Sequence, residues 1–313
     1  MASSTENKTL TTQLSKLLAV SISELTTEPQ TRGSSGNVTR VNLTTKDMQQ
    51  VSIILKKSEG KDFLEFYTHF LEALGLNHPK IYGEVNMNGS AYIVMQYINH
   101  VTPDWDSKER YQAMIDWLIY KDGICMEYVE KAAQLTYVGK VKFHGISDWY
   151  TEFENAVLAN NISVMGGDFW ELLQKQKRYI SQLLKSLTHQ QPLTVCHGDL
   201  QMNNFLFVEE KQDHLAPIVI DWTQPSITSV CRDLAQVVDC APTDVKENLK
   251  SEYRRCISIP NFEESFHTAL LLRHLGYFAW MILMINNGSP EKEYHEELRQ
   301  SAANIRAALP APS

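Results

Sequence analysis

The sequence predicts an α+β chain with two lobes: a small β-rich N-terminal lobe with one main helix, and a larger helical C-terminal lobe carrying a short hairpin. Residues of about 20–98 alternate like the strands of a small sheet, and the residues beyond them follow a helical period. Two short β-like runs interrupt those helices. The predicted parts are an N-terminal extension at 1–19, the N-terminal lobe at 20–98 and the C-terminal lobe at 99–313.

The N-terminal lobe is predicted from its turns. "VTRVNLTTKDMQQVSIILKK" contains two strands around a polar turn at Thr44–Asp47, and "HPKIYGEVNMNGSAYIVMQYI" contains two more around Asn88-Gly89, a strong hairpin signal. Between these pairs, "KDFLEFYTHFLEAL" has apolar residues at helical spacing. Residues 1–12 and the final "PAPS" are expected to be frayed.

The C-terminal lobe is predicted from four long stretches with a helical period. They are "YQAMIDWLIYKDGICMEYVEKAAQL", "FWELLQKQKRYISQLLKSL", "ESFHTALLLRHLGYFAWMILMINN" and "EKEYHEELRQSAANIRAAL". The runs "NNFLFVEE" and "APIVIDW" are typical of two strands in one hairpin. A chain with two such lobes is expected to bind its ligand in the cleft between them.

Composition excludes several classes of protein. The 313 residues are 43% apolar and 21% charged, with a formal charge of −8 and no long basic run, so nucleic acid is not an expected partner. Five scattered cysteines without a C-x-x-C motif indicate reduced thiols in a cytoplasmic protein. The N-terminus does not resemble a signal peptide, and "GYFAWMILMI" is well short of the roughly 20 residues that span a bilayer. No membrane partner is expected.

The stretch "VCHGDLQMNNFLF" carries the main functional signal. It places Asp199 and Asn204 in a short loop between apolar runs, and Asp221 ends the later strand "PIVIDW". A hairpin of these strands brings Asp199, Asn204 and Asp221 towards one end. Such a cluster is costly without a cation, and hard oxygen ligands suit Mg²⁺ bound together with substrate phosphates. One carboxylate can be spared to accept a proton from an attacking hydroxyl.

These residues resemble a known superfamily. "HGDLQMNNFLF", "VIDW" and "RDLA" are similar to the motifs of the aminoglycoside phosphotransferase and choline kinase-like superfamily, which has a protein-kinase-like fold. The Asn-Asn ending resembles its ecdysteroid-kinase-like branch. The resemblance covers about residues 20–300 and is most specific at 195–235. It implies a phosphotransferase that uses Mg²⁺ and ATP, with GTP left open, on a hydroxyl of a small molecule: an aminoglycoside, choline or another alcohol.

The resemblance implies a role for each matching residue. Asp199 is expected to be the catalytic base, and Asn204 and Asp221 are expected to hold Mg²⁺. His197 is expected to brace the loop, and Asp233 is expected to be a structural anchor in the C-terminal lobe. An isolated His-Gly-Asp is usually an ordinary loop sequence without a functional role. The Asn five residues after the base and the Asp some 22 residues after it favour the functional interpretation.

Two neighbouring positions refine this picture. Asn203 is expected to be a turn former more than a ligand. Trp222 and Thr223 stand where protein kinases have Phe-Gly, which favours a small-molecule acceptor over a protein.

The N-terminal lobe is expected to bind the nucleotide. Alternation along "VSIILKK" puts Lys56 and Lys57 on opposite faces of a strand, and the family pattern favours Lys56 as the phosphate ligand. In the hinge-like "YIVMQYI", the backbone groups of Gln96 and Ile98 are expected to meet the purine edge, with Met95 at the back of the pocket.

The acidic partner of Lys56 is expected to be Glu65. Asp62 and Glu72 remain alternatives, since Glu65 lies opposite the apolar stripe of its helix. The loop "TRGSSGNVTRV" matches the position of a phosphate-covering loop, although it fits an ordinary hairpin turn equally well.

The acceptor and the oligomeric state are left open by the sequence. Side chains that could line an acceptor pocket are Trp105, Tyr111, Trp149, Tyr150, Asp239 and Asp244. An acidic, aromatic pocket would suit a cationic, amine-bearing alcohol.

Three other functions compete with a small-molecule kinase. A kinase-fold ligand-binding protein without turnover usually lacks the base or a metal ligand, and all three candidates are present here. A protein kinase needs a longer segment after Asp221 than "WTQPSITSVCRDLA". A metal-dependent phosphohydrolase would not need the strand that carries Lys56.

Overall fold

The computed structural model describes residues 4–29, 38–58, 64–87, 89–101, 104–135, 166–187, 192–209, 215–222 and 225–309. The chain forms two compact units. The first contains Met1–Pro103 and Asn203–Asp221, and the second contains Asp104–Met202 and Trp222–Ser313. The segment 203–221 therefore groups with the first unit, whereas the predicted division placed it in the C-terminal lobe. That division stays a prediction.

The first unit is built on an antiparallel sheet in the order β1-β2-β3-β5-β4. Its strands are β1 (Ile22–Pro29), β2 (Val38–Thr45), β3 (Gln50–Lys57), β4 (Ile81–Met87) and β5 (Ser90–Gln96). The two predicted strand pairs are confirmed as β2–β3 and β4–β5. Gly89 has a φ of 75°, as a tight hairpin turn requires, and Asn88 lies outside the described residues.

Four shorter strands lie around the motif. They are β6 (Leu193–Cys196), β7 (Phe205–Glu209), β8 (Leu215–Val219) and β9 (Ser226–Ser229). The predicted hairpin is confirmed as the antiparallel pair β7–β8 in the first unit. Strands β6 and β9 pair in the second unit.

Helix α1 (Ser4–Leu18) packs on the sheet of the first unit. Leu10 and Leu14 are buried in one apolar cluster with side chains of all five of its strands. Leu17 approaches so closely that a Cβ on Gly83 would lie 2.7 Å from its Cδ1. The expectation that residues 1–12 are frayed is therefore wrong from Ser4 onward, because leucines at helical spacing give this segment an apolar face to bury.

The helix predicted between β3 and β4 contains a π-helical segment, Phe66–Leu71. Its buried residues are Phe66, Tyr67, Phe70 and Leu71, which confirms the apolar stripe. The wider π turn was not predicted from a period of 3.6 residues.

The second unit is mainly helical. Its helices are α2 (Lys108–Glu127), α3 (Val129–Ala133), α4 (Gly166–Leu187), α5 (Cys231–Cys240), α6 (Lys246–Cys256), α7 (Phe262–Asn286) and α8 (His295–Ala308). The four predicted helical stretches are confirmed as α2 with α3, α4, α7 and α8. The first is broken at Tyr128, which separates α2 from α3.

Helix α7 forms much of the core of the second unit. It packs against α5 and α8. Among the described helices it is the one long and apolar enough to cross a membrane, yet 61% of its apolar window is buried inside the protein. This agrees with the buried helix that the run "GYFAWMILMI" predicted.

Candidate active site

The motif loop passes through a 3₁₀ turn, Met202–Asn204, into β7. Phe205 pairs with Val219 across the hairpin, so the flanking residues Asn204 and Asp221 lie at the same end of it. The carbonyl of Asn204 accepts a hydrogen bond from the Ile220 N–H at 2.9 Å. The structure thus brings together two of the residues that the sequence assigned to a metal.

Lys56 completes this group in the first unit. Its Nζ lies 2.6 Å from Oδ1 of Asp221, and the two side chains are 14% and 43% exposed. Alternation along β3 explains the direction of Lys56: Ile53 and Leu55 are buried in the apolar cluster with α1, whereas Lys56 projects from the other face. Lys57 is exposed at the end of the strand.

Asp221 has a left-handed backbone conformation, with φ of 65°. This conformation is uncommon for residues other than glycine, and such backbone strain is concentrated at functional sites. It sets the direction of a carboxylate two residues after the end of β8.

Asn204 and Asp221 fit a magnesium ion by their donor atoms, since amide and carboxylate oxygens are ligands that Mg²⁺ accepts. Asn204 is 9% exposed, and the Asp221 carboxylate already faces the positive charge of Lys56. Within the described residues, no group of three or more His, Cys, Asp or Glu side chains could hold a metal ion. A metal here would therefore depend on Asn204, water and substrate phosphates for its remaining ligands.

The hinge residues lie at the end of β5 and just after it. Met95 is 5% exposed, as a residue at the back of a pocket should be. The Gln96 N–H donates to the Lys80 carbonyl at 2.8 Å, and the Ile98 carbonyl lies 3.0 Å from Nδ1 of His100. These contacts fix the path of the segment, while its contact with a purine stays a prediction.

Glu65 is exposed and immediately precedes the π-helical segment. Among the described residues, Lys56 contacts the carboxylate of Asp221, and the pairing of Lys56 with Glu65 stays a prediction. Glu72 is also exposed, whereas Asp62 and the glycines of the proposed phosphate-covering loop lie outside the described residues.

Asp199 lies in the loop of the second unit, after Gly198, whose φ is 88°. The Asp199 N–H donates to Nδ1 of His197 at 3.2 Å. The Gln201 side-chain amide donates to Oδ1 of Asp199 at 2.6 Å. These bonds hold both the backbone and the carboxylate of the candidate base, and they give His197 the bracing role that was predicted.

Asp233, at the start of α5, anchors this loop. Its Oδ2 accepts from the His197 N–H at 2.7 Å, and its Oδ1 accepts from the Gly198 N–H at 3.0 Å. One turn later, Gln236 accepts from the Leu200 N–H at 2.5 Å and donates to the Gly198 carbonyl at 2.8 Å. The predicted anchoring role of Asp233 is confirmed by these bonds.

A buried charge cluster supports the anchor and was missed by sequence reasoning. Lys121 of α2 lies 2.9 Å from Asp233 and 2.7 Å from Asp122, and all three side chains are fully buried. Tyr253 of α6 donates its hydroxyl hydrogen bond to Asp122. The available signal was a Lys-Asp pair inside the otherwise apolar run "WLIYKDGICM".

The cluster changes the acidities of its members. Burial would raise the pKa of Asp233, but Lys121 and the two backbone N–H donors hold that pKa below its ordinary value. Burial raises the pKa of Asp122 despite its contact with Lys121. Burial would lower the pKa of Lys121, but the two carboxylates keep it well above its usual range. Lys121 is therefore a cation, and Asp233 is an anion that can accept both loop hydrogen bonds.

Trp222 packs against the His197 ring of the loop. Its ring centroid lies 4.7 Å from that of His197 and 6.2 Å from that of Trp117 in α2. Trp222 is 1% exposed, so it packs in the core of the second unit and restrains the His197 ring. Thr223 lies outside the described residues.

The side chains predicted to line an acceptor pocket do not form one group. Tyr111 is fully buried and donates to the Cys240 carbonyl at 2.6 Å, so it belongs to the core. Asp239 pairs with Arg273 at 2.7 Å, and the exposed Asp244 pairs with Lys108. Trp105 is 42% exposed. Trp149 and Tyr150 lie outside the described residues.

Another aromatic group, which sequence reasoning missed, lies on the second unit. Tyr277 and Trp280 of α7 stack with their centroids 5.8 Å apart, and Tyr294 meets Trp280 edge-on at 5.9 Å. Tyr277 and Trp280 are 37% and 38% exposed, which is unusual for adjacent large aromatic side chains. We refer to Tyr277, Trp280 and Tyr294 as the aromatic shelf. Its signal was an aromatic pair spaced three residues apart on a helix.

Two members of the shelf, Tyr277 and Trp280, lie on the same helix as Arg273, which precedes Tyr277 by one turn of α7. Burial would lower the pKa of Arg273, but the neighbouring Cys240 and Asp239, with a further contribution from Asp199, raise it.

Comparison with known proteins agrees with this geometry. Residues 123–255 match the ecdysteroid kinase-like family. No curated protein matches the sequence. Among solved structures, the chain is similar to choline kinase LicA from Streptococcus pneumoniae, with 17% identity, a TM-score of 0.65, and coverage of 97% of this chain and 100% of that one.

Two antibiotic-modifying enzymes are also similar. A spectinomycin phosphotransferase in complex with ADP and spectinomycin has 12% identity and a TM-score of 0.54, and the match covers 98% of this chain and 95% of that one. An aminoglycoside phosphotransferase in complex with GDP and kanamycin has 13% identity and a TM-score of 0.60, with 95% and 98% coverage. The resemblance predicted from the motif is thereby confirmed: the chain shares the protein-kinase-like fold of these choline kinase and phosphotransferase structures, and its residues 123–255 match the ecdysteroid kinase-like family.

Proposed function

We propose that this protein is a Mg²⁺-dependent phosphotransferase that moves the terminal phosphoryl group of a nucleoside triphosphate to a hydroxyl of a small molecule. The observation that carries the proposal is the Lys56–Asp221 contact of 2.6 Å at the hairpin end that also holds Asn204. A phosphate-binding cation and two magnesium ligands are the parts that phosphoryl transfer requires from the nucleotide side.

In the first unit, Lys56 would contact the nucleotide phosphates, and Asn204 and Asp221 would hold Mg²⁺. The bound ion would neutralise charge on the phosphate oxygens. The backbones of Gln96 and Ile98 would meet the purine, and Glu65 would orient Lys56. ATP is the expected donor, with GTP as the alternative, since relatives of this fold are seen with ADP and with GDP.

In the second unit, Asp199 would accept the proton of the attacking hydroxyl. A general base must be held in place and ionised at the operating pH. The hydrogen bond from Gln201 to Oδ1 fixes the plane of the Asp199 carboxylate, and the bond from its N–H to His197 fixes the backbone. The residue is half-buried, so it is open to a substrate.

The acceptor would be an amine-bearing alcohol in the cytoplasm. The aromatic shelf supports this class, because a cation placed over an aromatic face gains roughly 0.5–2 kcal/mol, depending on desolvation. Glu297 supports it as well, because its charge contributes to the raised pKa of Tyr277, after burial. An ammonium group on the shelf would therefore meet both aromatic faces and a carboxylate.

A panel of acceptors tests the proposal. Purified protein is mixed with ATP or GTP, Mg²⁺ and one candidate at a time: choline and ethanolamine, aminoglycosides, and neutral alcohols. Nucleotide consumption is measured together with mass spectrometry of the acceptor. Transfer to an amine-bearing alcohol is the expected result. Nucleotide binding without transfer to any acceptor would favour a ligand-binding protein instead.

A matched pair of variants locates the acceptor. Trp280→Ala should raise the KM for a cationic acceptor by about tenfold, which corresponds to the loss of one or two cation–π contacts. Trp105→Ala removes a tryptophan of similar exposure that lies outside the shelf, and it should leave this KM unchanged. Equal effects of the two variants would contradict the shelf assignment.

A further inference from the structure

We propose that Lys121 is a positioning residue for the candidate base: through Asp233 and the Val195 carbonyl, it fixes the loop that carries Asp199. The inference rests on the proposed function, because it assigns a new member to the same site. It concerns a residue of α2, which is 78 residues before Asp199 in the chain (199 − 121).

Lys121 contacts the loop region at two points. Its Nζ donates to the Val195 carbonyl at 3.2 Å, in the strand that leads into the loop, and to Oδ2 of Asp233 at 2.9 Å. The side chain is 0% exposed, so no water competes for these bonds. The ammonium group thus ties strand β6 to the first turn of α5 immediately before the loop.

Asp233 links Lys121 to the loop, because it forms hydrogen bonds with both. Oδ2 of Asp233 accepts from both Lys121 and the His197 N–H, while Oδ1 accepts from the Gly198 N–H. Without the cation, this fully buried carboxylate would favour its protonated form or a different orientation. Either change would weaken at least one of the two backbone bonds that precede Asp199.

Asp122 provides an internal comparison. It is as buried as Asp233 and also contacts Lys121, but its other hydrogen-bond partner is Tyr253 on α6. Removing its charge should therefore disturb the stability of the cluster without releasing the loop. Lys121→Met with Asp122→Asn removes one positive and one negative charge, so the net charge of the cluster is kept.

The expected effect is on turnover rather than nucleotide affinity. A displacement of about 1 Å at a reacting group can cost around 100-fold in rate. Lys121→Met should therefore lower kcat by about 100-fold. The KM for the nucleotide should change by less than about twofold, because Lys56, Asn204 and Asp221 belong to the other unit.

The experiment compares Lys121→Met, Asp122→Asn and the double variant by kcat, nucleotide KM and Tm. We expect a low kcat in both variants that lack Lys121, a Tm recovered towards that of wild type in the double variant, and a near-normal kcat in Asp122→Asn. If kcat follows Tm across the three variants, Lys121 is only a structural residue and the inference is wrong.

Hydrogen exchange provides a readout that does not depend on activity. Amide exchange in residues 195–201 should be faster in the double variant than in wild type, and unchanged in Asp122→Asn. Unchanged exchange in the double variant would overturn the inference. A wild-type protein that transfers no phosphoryl group would instead contradict the proposed function, and the exchange data would still decide the role of Lys121.

Discussion

The two units hold their own candidate site residues in contrasting ways. In the first unit, Lys56 and Asp221 form a partly exposed pair, with side chains 14% and 43% accessible. In the second, Lys121 and Asp233 form a pair that is fully buried. An exposed pair contributes little to stability, whereas breaking a buried pair leaves an uncompensated charge in the interior.

Under the proposed function, the contrast would correspond to two different tasks. A nucleotide site in the first unit would exchange the Lys56–Asp221 contact for phosphate and metal contacts at each turnover, so a weak, accessible pair suits it. A general base would have to keep its position through the reaction, so a loop held by buried hydrogen bonds suits it. The comparison teaches that a Lys–Asp pair can be accessible to solvent in one unit and fully buried in the other.

The largest expected effect comes from removing the base itself. Asp199→Ala should lower kcat by several orders of magnitude while nucleotide binding is kept, because the base acts on the acceptor. Steady-state kinetics and nucleotide titration of the same preparation measure both quantities. A variant that keeps more than about a tenth of the wild-type rate would show that Asp199 is not the base.

The comparison also predicts unequal stability costs. Asp233→Asn should lower the free energy of unfolding by about 3–5 kcal/mol, because it removes one of the two carboxylates that balance the buried Lys121. Asp221→Asn should cost less than about 1 kcal/mol, because its side chain is partly exposed to solvent. Denaturant unfolding of the two variants measures this difference, and equal costs would break the comparison.

The contribution of Asp233 should depend on pH. Its pKa in the folded protein lies below the ordinary value of 3.8. Its ionised form therefore stabilises the fold fully above that ordinary value, and this contribution is lost as the pH falls through the lowered pKa. The stability difference between wild type and Asp233→Asn should accordingly shrink in acid. If this stability difference grew in acid, the pKa of Asp233 in the folded protein would not be lowered.

Lys56 should matter for the nucleotide more than its neighbour does. Lys56→Met should reduce kcat/KM by about 2–4 kcal/mol, the scale of a charged contact that strengthens in a water-poor transition state. Lys57→Met removes an exposed side chain at the strand end and should cost well under 1 kcal/mol. Should Lys57→Met prove the more damaging change, the direction of Lys56 in the first unit would be wrong.

The smallest expected effect is on the reactivity of the cysteine thiols, all five of which lie in the second unit. Cys125, Cys196 and Cys231 are buried, and burial raises the pKa of Cys125 and of Cys231 to about 12. A thiol reagent at pH 8 should therefore label the exposed Cys256 quickly and these three only after unfolding. Rapid labelling of all five in the native protein would contradict the fixed interior proposed for this unit.

Local patterns predicted much of the fold and of the site. The alternation of "VSIILKK" placed Lys56 and Lys57 on opposite faces of the strand, and the two apolar runs after Asn204 predicted the hairpin that brings Asn204 to Asp221. Both rest on short-range geometry, with a period of two residues in a strand and a fixed pairing in a hairpin. The motif also predicted that Asp233 is a structural anchor in the C-terminal lobe, and the structure adds its bonds to the loop.

Features that depend on tertiary contacts were not predicted. Helix α1 is mostly polar, so the sequence did not indicate that its few leucines pack on the sheet. The role of Lys121 depends on partners 74 and 112 residues away, which no local period encodes. The aromatic shelf likewise needs Tyr294, which reaches Trp280 only through the folded chain.

The division of labour between the two units is the central claim, and one calorimetric experiment tests it most directly. Nucleotide is titrated into wild type, Asp221→Asn and Asp199→Ala, with and without Mg²⁺. We predict that Mg²⁺ strengthens binding to wild type and to Asp199→Ala, and that this enhancement disappears in Asp221→Asn, because one of two protein ligands to the ion is lost. An enhancement that survives in Asp221→Asn, or disappears in Asp199→Ala, would contradict the account.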